Sequence, residues 1–152
     1  MIAGGASLLQ QVGPGPVAID TACFIYFAEA HERYASVLRP LFAAADAGAL
    51  QLVTSTVTLL EVLVVPYRVG ATELAARYEL LLTRSRGITL AGAGAAEARL
   101  AAQLRAQYGV RTPDALQLAT GLLARCTAFV TNDRDIPAIP DLPVVQLSAL
   151  TA

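Results

Sequence analysis

Short unbroken apolar runs alternate along this chain with longer stretches in which apolar positions return every three or four residues. The first run, Val17-Ala18-Ile19, closes on Asp20 and reads as a strand buried on both faces. Thr21 then caps a helix through Phe24, Ile25, Phe27 and Ala28, and a second helix is expected over 33–47, stopping at Gly48. A strand over 50–54 leads to Ser55, the cap of a helix carrying Leu59, Leu60, Leu63 and Val64 that Pro66 should end. Thr72 opens a helix to Arg84 with Leu74, Tyr78, Leu81 and Leu82 on one side. A third strand follows over 88–90, then an Ala-rich helix over 95–108 closed by Gly109. Thr112-Pro113-Asp114 is a helix start signal, with proline at the first helical position, for a helix reaching Arg125. Strands over 128–131 and 144–147 complete the pattern, the last after a turn containing Pro137, Pro140 and Pro143. Short apolar strands alternating with helices predict a three-layer α/β/α sandwich with a mostly parallel sheet of about five strands.

Length refines this picture without changing it. A chain of 152 residues supports one domain, placed at 16–152, behind a leader at 1–15 that Gly4, Gly5, Gly13, Pro14 and Gly15 mark as flexible. The leader has no basic segment of the kind that opens a signal peptide. Hydrophobic residues make up 55% of the chain and mean hydropathy is +0.54, yet Gln51 and Glu61 interrupt the longest apolar tract, so no membrane span is expected. Cys23 and Cys126 fit small buried side chains and a reducing cytoplasm. The net charge of −1 argues against nucleic-acid binding by bulk charge and leaves a local basic rim open. All 11 basic residues are arginine.

Candidate chemistry lies in the acids. Of 12 Asp and Glu, Asp20, Glu61, Asp114 and Asp133 stand at strand ends or inside apolar stretches, where a carboxylate is costly unless paired, neutralised or bound to a cation. In an open parallel sheet, ligands bind beyond the carboxyl ends of the strands where strand order reverses. Asp20 ends the first strand, Asp133 lies just past the fourth, and Glu61 sits on the helix leaving the second. Asp114 joins them if the loop 109–111 rises to that edge. Clustered carboxylates suit Mg²⁺ or Mn²⁺, hard ions that take oxygen ligands, activate water and steady phosphate charge. Taken singly, each acid also has an ordinary reading: Asp20 as a helix cap, Asp114 as a first-turn acid, Asp133 and Asp135 as turn residues, Glu61 as an ion-pair partner of an arginine.

The stretches Ile19-Asp20-Thr21 with Phe24-Ile25-Tyr26-Phe27, Thr54-Ser55 with Leu60-Glu61-Val62, Arg111-Thr112-Pro113-Asp114-Ala115 and Val130-Thr131-Asn132-Asp133-Arg134-Asp135 agree in order and spacing with one family. Over 17–147 the chain resembles PIN domains, particularly the VapC-like ribonuclease toxins of toxin–antitoxin pairs. That resemblance implies Mg²⁺- or Mn²⁺-dependent endoribonuclease activity in the cytoplasm. It makes Asp20, Glu61, Asp114 and Asp133 the catalytic and metal-binding acids, with Asp135 a lesser ligand. It gives Thr21, Thr131 and Asn132 supporting roles. It further implies an RNA substrate, a small antitoxin partner and a homodimer. Ala22 departs from the asparagine many relatives carry. Arg134, beside the cluster, is a candidate for phosphate.

Other α/β folds with acids at strand ends fail on this sequence. A haloacid-dehalogenase-like phosphatase needs a second aspartate where Ala22 stands, and it, receiver domains and P-loop NTPases need a lysine. The competing reading from another class is a PIN-like domain that binds RNA or a protein without cutting. His31 has no partner for catalysis. Tyr26 and Phe27 read as core or interface, and Arg68, Arg84, Arg86 and Arg111 as solvated faces.

Overall fold

The computed structural model describes residues 7–150. Strands β1 (Val17–Ile19), β2 (Leu52–Ser55), β3 (Ile88–Ala91), β4 (Ala128–Thr131) and β5 (Val144–Gln146) form one sheet in the order β3-β2-β1-β4-β5, every pair parallel. The helices are α1 (Leu8–Val12), α2 (Thr21–Ala28), α3 (Ala35–Asp46), α4 (Thr56–Val69), α5 (Thr72–Arg84), α6 (Ala95–Tyr108) and α7 (Thr112–Leu123). Successive strand residues point to opposite faces, so each short apolar run serves two cores at once. Val17, Ile19, Leu52, Ala128 and Val130 pack with α1 to α5, while Ala18, Val53 and Phe129 pack with α6 and α7. Gly121 lets α7 lie close to the sheet, since a Cβ there would stand 3.1 Å from Ala18 Cβ and from Leu142. The expected three-layer α/β/α architecture is the one observed.

Strand and helix limits match the sequence reading to within two or so residues, with two corrections. Pro66 does not end α4. The helix runs to Val69 and stops at Gly70, whose φ of 71° and ψ of 22° are left-handed, with its N–H and that of Ala71 returning to the Pro66 carbonyl. Proline forfeits its own N–H bond, but Pro66 is buried and the glycine supplies a cleaner stop four residues later.

The second correction concerns the leader. Residues 1–6, with Gly4 and Gly5, lie outside the described residues. From Ser7 onward the segment is built into the fold. Ser7 Oγ accepts from Gln10 N at 3.3 Å and Gln10 Oε1 accepts from Ser7 N at 2.9 Å, a reciprocal cap on α1. Leu8 and Val12, 4% and 1% exposed, pack in the same core as α3. Thr127 Oγ1 donates to the Val12 carbonyl at 2.6 Å and accepts from Gly15 N at 3.0 Å. Five helical residues ahead of Gly13-Pro14-Gly15 are too few to show a period, so only the tertiary contact reveals them.

Cys23 and Cys126 are both buried, and burial pushes both thiols up, Cys126 to about 11, so neither is a ready nucleophile. Among the described residues no helix is long and apolar enough to cross a membrane. The docking of α1 is testable. Leu8→Ala should cost about 2–3 kcal/mol of stability, read as a lower urea midpoint at unchanged slope. A free leader would leave the midpoint where it was.

Candidate active site

The sheet changes direction at β1. Strands β2 and β3 lie to one side of it, β4 and β5 to the other, so the carboxyl ends of β1 and β4 open a crevice between helices of opposite layers. The register Ile19↔Val130, extended by Asp20 N donating to the Val130 carbonyl at 3.0 Å, puts Asp20 beside Thr131. Thr131 Oγ1 donates to Asp20 Oδ2 at 2.6 Å and accepts from Asp133 N at 3.0 Å. The other oxygen, Asp20 Oδ1, accepts from Thr21 N at 2.8 Å. Asp20 therefore caps α2, as its ordinary reading has it, and also lies within reach of the charges of Asp114 and Glu61.

Glu61, on the second turn of α4, is exposed rather than enclosed by apolar side chains. It is nevertheless held, because Thr21 Oγ1 donates to Glu61 Oε1 at 2.7 Å. Thr21 thus touches both acids, Asp20 through its backbone and Glu61 through its hydroxyl. Asp114 stands in the first turn of α7, and Arg111 Nε lies 3.4 Å from its Oδ2. The Arg111 side chain is 77% exposed and that of Asp114 14%, so the pair is a loose one at the rim. Asp114 lies close enough to the acids of the carboxyl edge for its charge to act on Asp20 and for those of Asp133 and Asp135 to act on it.

Asp133 closes its own turn. Its Oδ1 accepts from Asp135 N at 2.9 Å, and its carbonyl accepts from Gln146 Nε2 at 2.8 Å. Asn132 Nδ2 donates to Tyr26 Oη at 3.3 Å, and Asn132 Oδ1 accepts from Ser148 N at 3.1 Å, fastening the loop to α2 and to the chain beyond β5. Asp135 and Arg134 are exposed on that loop. His31 lies away from the cluster in the turn before α3, its Nδ1 accepting from the N–H groups of Arg33 and Tyr34 at 3.1 and 3.2 Å.

Burial is the main force pushing the Asp20 carboxyl up. The Thr131 hydroxyl and the Thr21 N–H pull it back, and the charges of Asp114 and Glu61 push it up again; the net direction is upward. Asp114 is likewise raised, first by burial and then by Asp133 and Asp135, against the lowering effect of Arg111. The available donors are all carboxylate oxygens, and at Asp20 and Asp114 burial and neighbouring charge oppose the ionised form, which is the condition a hard divalent cation relieves. By donor type and charge the residues fit such an ion. As the side chains stand, however, each acid is turned to its own partner. Among the described residues no three of His, Cys, Asp or Glu are grouped to hold one metal ion.

Sequence reasoning gave no role to Thr54 beyond its place in a matching stretch and missed Thr58 and Gln117, which with it form a buried polar cluster beneath Thr21, and Gln146, which holds the Asp133 carbonyl. A usable signal was present. Thr58 lies one turn before Glu61, and Gln117 one turn after Asp114, each a polar residue on an apolar helical face adjacent to an acid.

Comparison with known proteins follows the same lines. A family model described as PIN domain matches residues 17–142. A chain of a toxin–antitoxin complex from Klebsiella pneumoniae superposes with a TM-score of 0.65 at 22% identity, covering 88% of this chain and 98% of that one. Chains of VapBC2 from Rickettsia felis and of VapBC from Salmonella typhimurium, both bound to DNA, give TM-scores of 0.64 and 0.60 at 16% identity, each covering 86% of this chain and 97% of theirs. At these identities the likeness is one of fold. Comparison with curated proteins found no match.

The raised acids set a sign for pH dependence. Where folding lifts a carboxyl above its ordinary 3.8, the folded chain binds more protons than the unfolded one just above that value, so stability falls as pH rises through the window. Without divalent cation, Asp20→Asn is expected to be more stable than the parent at neutral pH. That advantage should narrow as pH falls through the raised value, measured by urea unfolding in chelator. Parallel pH profiles for the two proteins would show that Asp20 is not under this strain.

Proposed function

The chain belongs to the PIN domain family, and from that premise we propose that it is a Mg²⁺- or Mn²⁺-dependent endoribonuclease, the toxin of a toxin–antitoxin pair. The observation that carries the reading is that acids from separate elements lie near one another at the β1/β4 crevice, Asp20 after β1, Glu61 on α4, Asp114 on α7 and Asp133 after β4, where burial first and neighbouring charge second push Asp20 and Asp114 up. A domain that only binds has no use for partly buried carboxylates kept close to other acids in the absence of a cation.

In this proposal Asp20, Asp114 and Asp133 hold the metal, with Glu61 as a further ligand or as the group that orients the attacking water, and Asp135 in a lesser role. A divalent ion bound there would supply a water ionised at neutral pH and would neutralise charge on the phosphate. The protein does the rest. Thr131 Oγ1–H and Thr21 N–H favour the ionised form of Asp20 against its burial, keeping it a ligand. Thr21 Oγ1–H sets the direction of Glu61, so that a water at the free side of that carboxylate can give up its proton as it attacks phosphorus. Asn132 ties the loop carrying Asp133 to Tyr26. Arg134, exposed beside Asp133, would meet an RNA phosphate, and the loose Arg111–Asp114 pair would leave Asp114 able to serve as a ligand.

Two further supports bear on partners. Leu60, Val64, Val65, Tyr67 and Val69 leave much of the α4 surface apolar and exposed, a face suited to an antitoxin or a second copy in a homodimer. Arginine as the sole basic side chain suits local phosphate contacts better than bulk attraction, given the net charge of −1. A cytoplasmic location follows from an RNA target and an antitoxin that must be met inside the cell.

The deciding measurement is cleavage of a labelled structured-RNA pool in Mn²⁺, Mg²⁺ or chelator. Cutting is expected only with metal, and Asp20→Asn should reduce it by about 100-fold or more. Mn²⁺ should also raise the melting temperature of the parent, as any ligand of the folded state must, and raise that of Asp20→Asn far less. Cutting that persists in chelator or in Asp20→Asn would sink this assignment. Metal binding with no cutting of any RNA in the pool would favour the binding domain instead.

A further inference from the structure

Beneath the crevice lies a closed set of polar side chains that the apolar layers around it do not require. Thr54 is the penultimate residue of β2, Thr58 stands in the first turn of α4, Thr21 opens α2, and Gln117 comes from the middle of α7. Gln117 is 3% exposed and Thr58 fully buried. A buried amide is costly unless its hydrogen bonds are made. Here they are made in one direction only.

Each hydroxyl has a single proton to give, and counting them fixes that direction. Thr54 Oγ1 donates to the Ile19 carbonyl at 3.0 Å, so the 2.7 Å contact between Thr54 and Thr58 uses the proton of Thr58. Gln117 Oε1 faces Ser55 N at 3.4 Å, which orients the amide. Its Nε2 then donates to Thr58 Oγ1 at 2.6 Å and to Thr21 Oγ1 at 3.2 Å. Thr58 donates to Thr54, and the proton of Thr21 goes to Glu61 Oε1 at 2.7 Å, a charged acceptor nearer than Thr58 Oγ1 at 3.0 Å. The 3.0 Å approach of Thr21 to Thr58 is a contact without a proton of its own.

We infer that Gln117 is a positioning residue for Glu61, acting through the Thr21 hydroxyl. By donating to Thr58 Oγ1 and Thr21 Oγ1 together, the amide makes Thr21 Oγ1 an acceptor on its own side and so leaves the Thr21 proton turned to the carboxylate. The same hydroxyl belongs to the residue whose N–H holds Asp20 Oδ1, so the amide also governs the spacing of Asp20 and Glu61. Helix α7 therefore serves the site twice, with Asp114 at the rim and Gln117 one turn deeper. This inference rests on the metal-dependent reading of the acids.

Its test is a double-mutant cycle on Mn²⁺ affinity, measured by calorimetry with the full chain. Gln117→Met keeps the length of the side chain and removes both donors. Partners that orient a metal ligand are worth 10–100-fold in affinity, and Gln117→Met is expected to weaken Mn²⁺ binding by about tenfold. In a Glu61→Gln background the same change should have no effect, because the group it positions is gone. Equal weakening in both backgrounds would mean that Gln117 merely packs, and no weakening in the parent would mean that it is idle. Either result overturns the inference and leaves the metal site standing. A parent that binds no Mn²⁺ overturns the metal reading and this inference with it. A crystal structure of metal-free Gln117→Met supplies an independent readout, in which Glu61 is expected to leave Thr21; a carboxylate still seated on Thr21 Oγ1 refutes the proposal. Should Gln117→Met fail to fold, Thr21→Val and Thr21→Ser divide the same question. The hydroxyl of the serine variant should retain the affinity that the valine variant loses, and equal affinities would overturn the inference.

Discussion

The parallel pairing of β1 with β4 is the constraint on which the rest of this molecule depends. Strands distant in sequence meet as Val17↔Ala128, Ala18↔Phe129 and Ile19↔Val130, and the chain order of the sheet reverses there. Because both strands point the same way, the segments leaving them emerge side by side. A hydroxyl ending one strand can then reach the carboxylate that ends the other, as Thr131 reaches Asp20. A slip of one residue in this pairing would turn Ile19 and Val130 to the wrong core and separate that pair. The apolar alternation of the strands thus guards the geometry of the polar site.

Once that crevice exists, its electrostatics follow from what lines it. The acids arrive on different elements, and each is held by a donor of its own: Asp20 by Thr131 and Thr21, Glu61 by Thr21, Asp114 by Arg111, Asp133 through the turn it closes. These bonds lower the cost of the negative charges without offsetting burial and the lesser repulsion between them, and Asp20 and Asp114 remain raised. Under the proposed function, structural and chemical duties coincide in this arrangement. A carboxylate that caps a helix is pinned in position, and a pinned carboxylate is a better prepared ligand than a free one. The rim pair of Arg111 with Asp114 is the exception, since its arginine is largely in solvent and free to exchange partners.

Much of the fold was legible because strand and helix periodicities differ so plainly along the chain. Runs such as Val17-Ala18-Ile19 and Ala128-Phe129-Val130 admit no amphipathic helix at that length, and Thr112-Pro113-Asp114 announces a helix start by local chemistry alone. Glu61 was noticed for a reason the structure corrects. It looked trapped in an apolar helix, whereas it lies exposed on a helix whose surface stays apolar around it. Residues 8–12 and the continuation of α4 past Pro66 were misread because each depends on burial against distant elements. Leu8 and Val12 gain their place from the core shared with α3, and Pro66 from its own burial.

The sequence by itself determined the alternation of strands and helices, the layering that follows from it, and the identity of acids that an apolar setting cannot tolerate idly. Those are local properties, set by side-chain period, backbone caps and the cost of desolvating charge. Only the tertiary structure decided which donors face which acids: that Thr21 serves both Asp20 and Glu61, and that Gln117 and Thr58 stand beneath them. A hydrogen bond is fixed by angles and by distances near 3 Å between residues as far apart in the chain as Thr21 and Gln117. No periodicity encodes such a distance; it exists only once the sheet register has set where each helix begins.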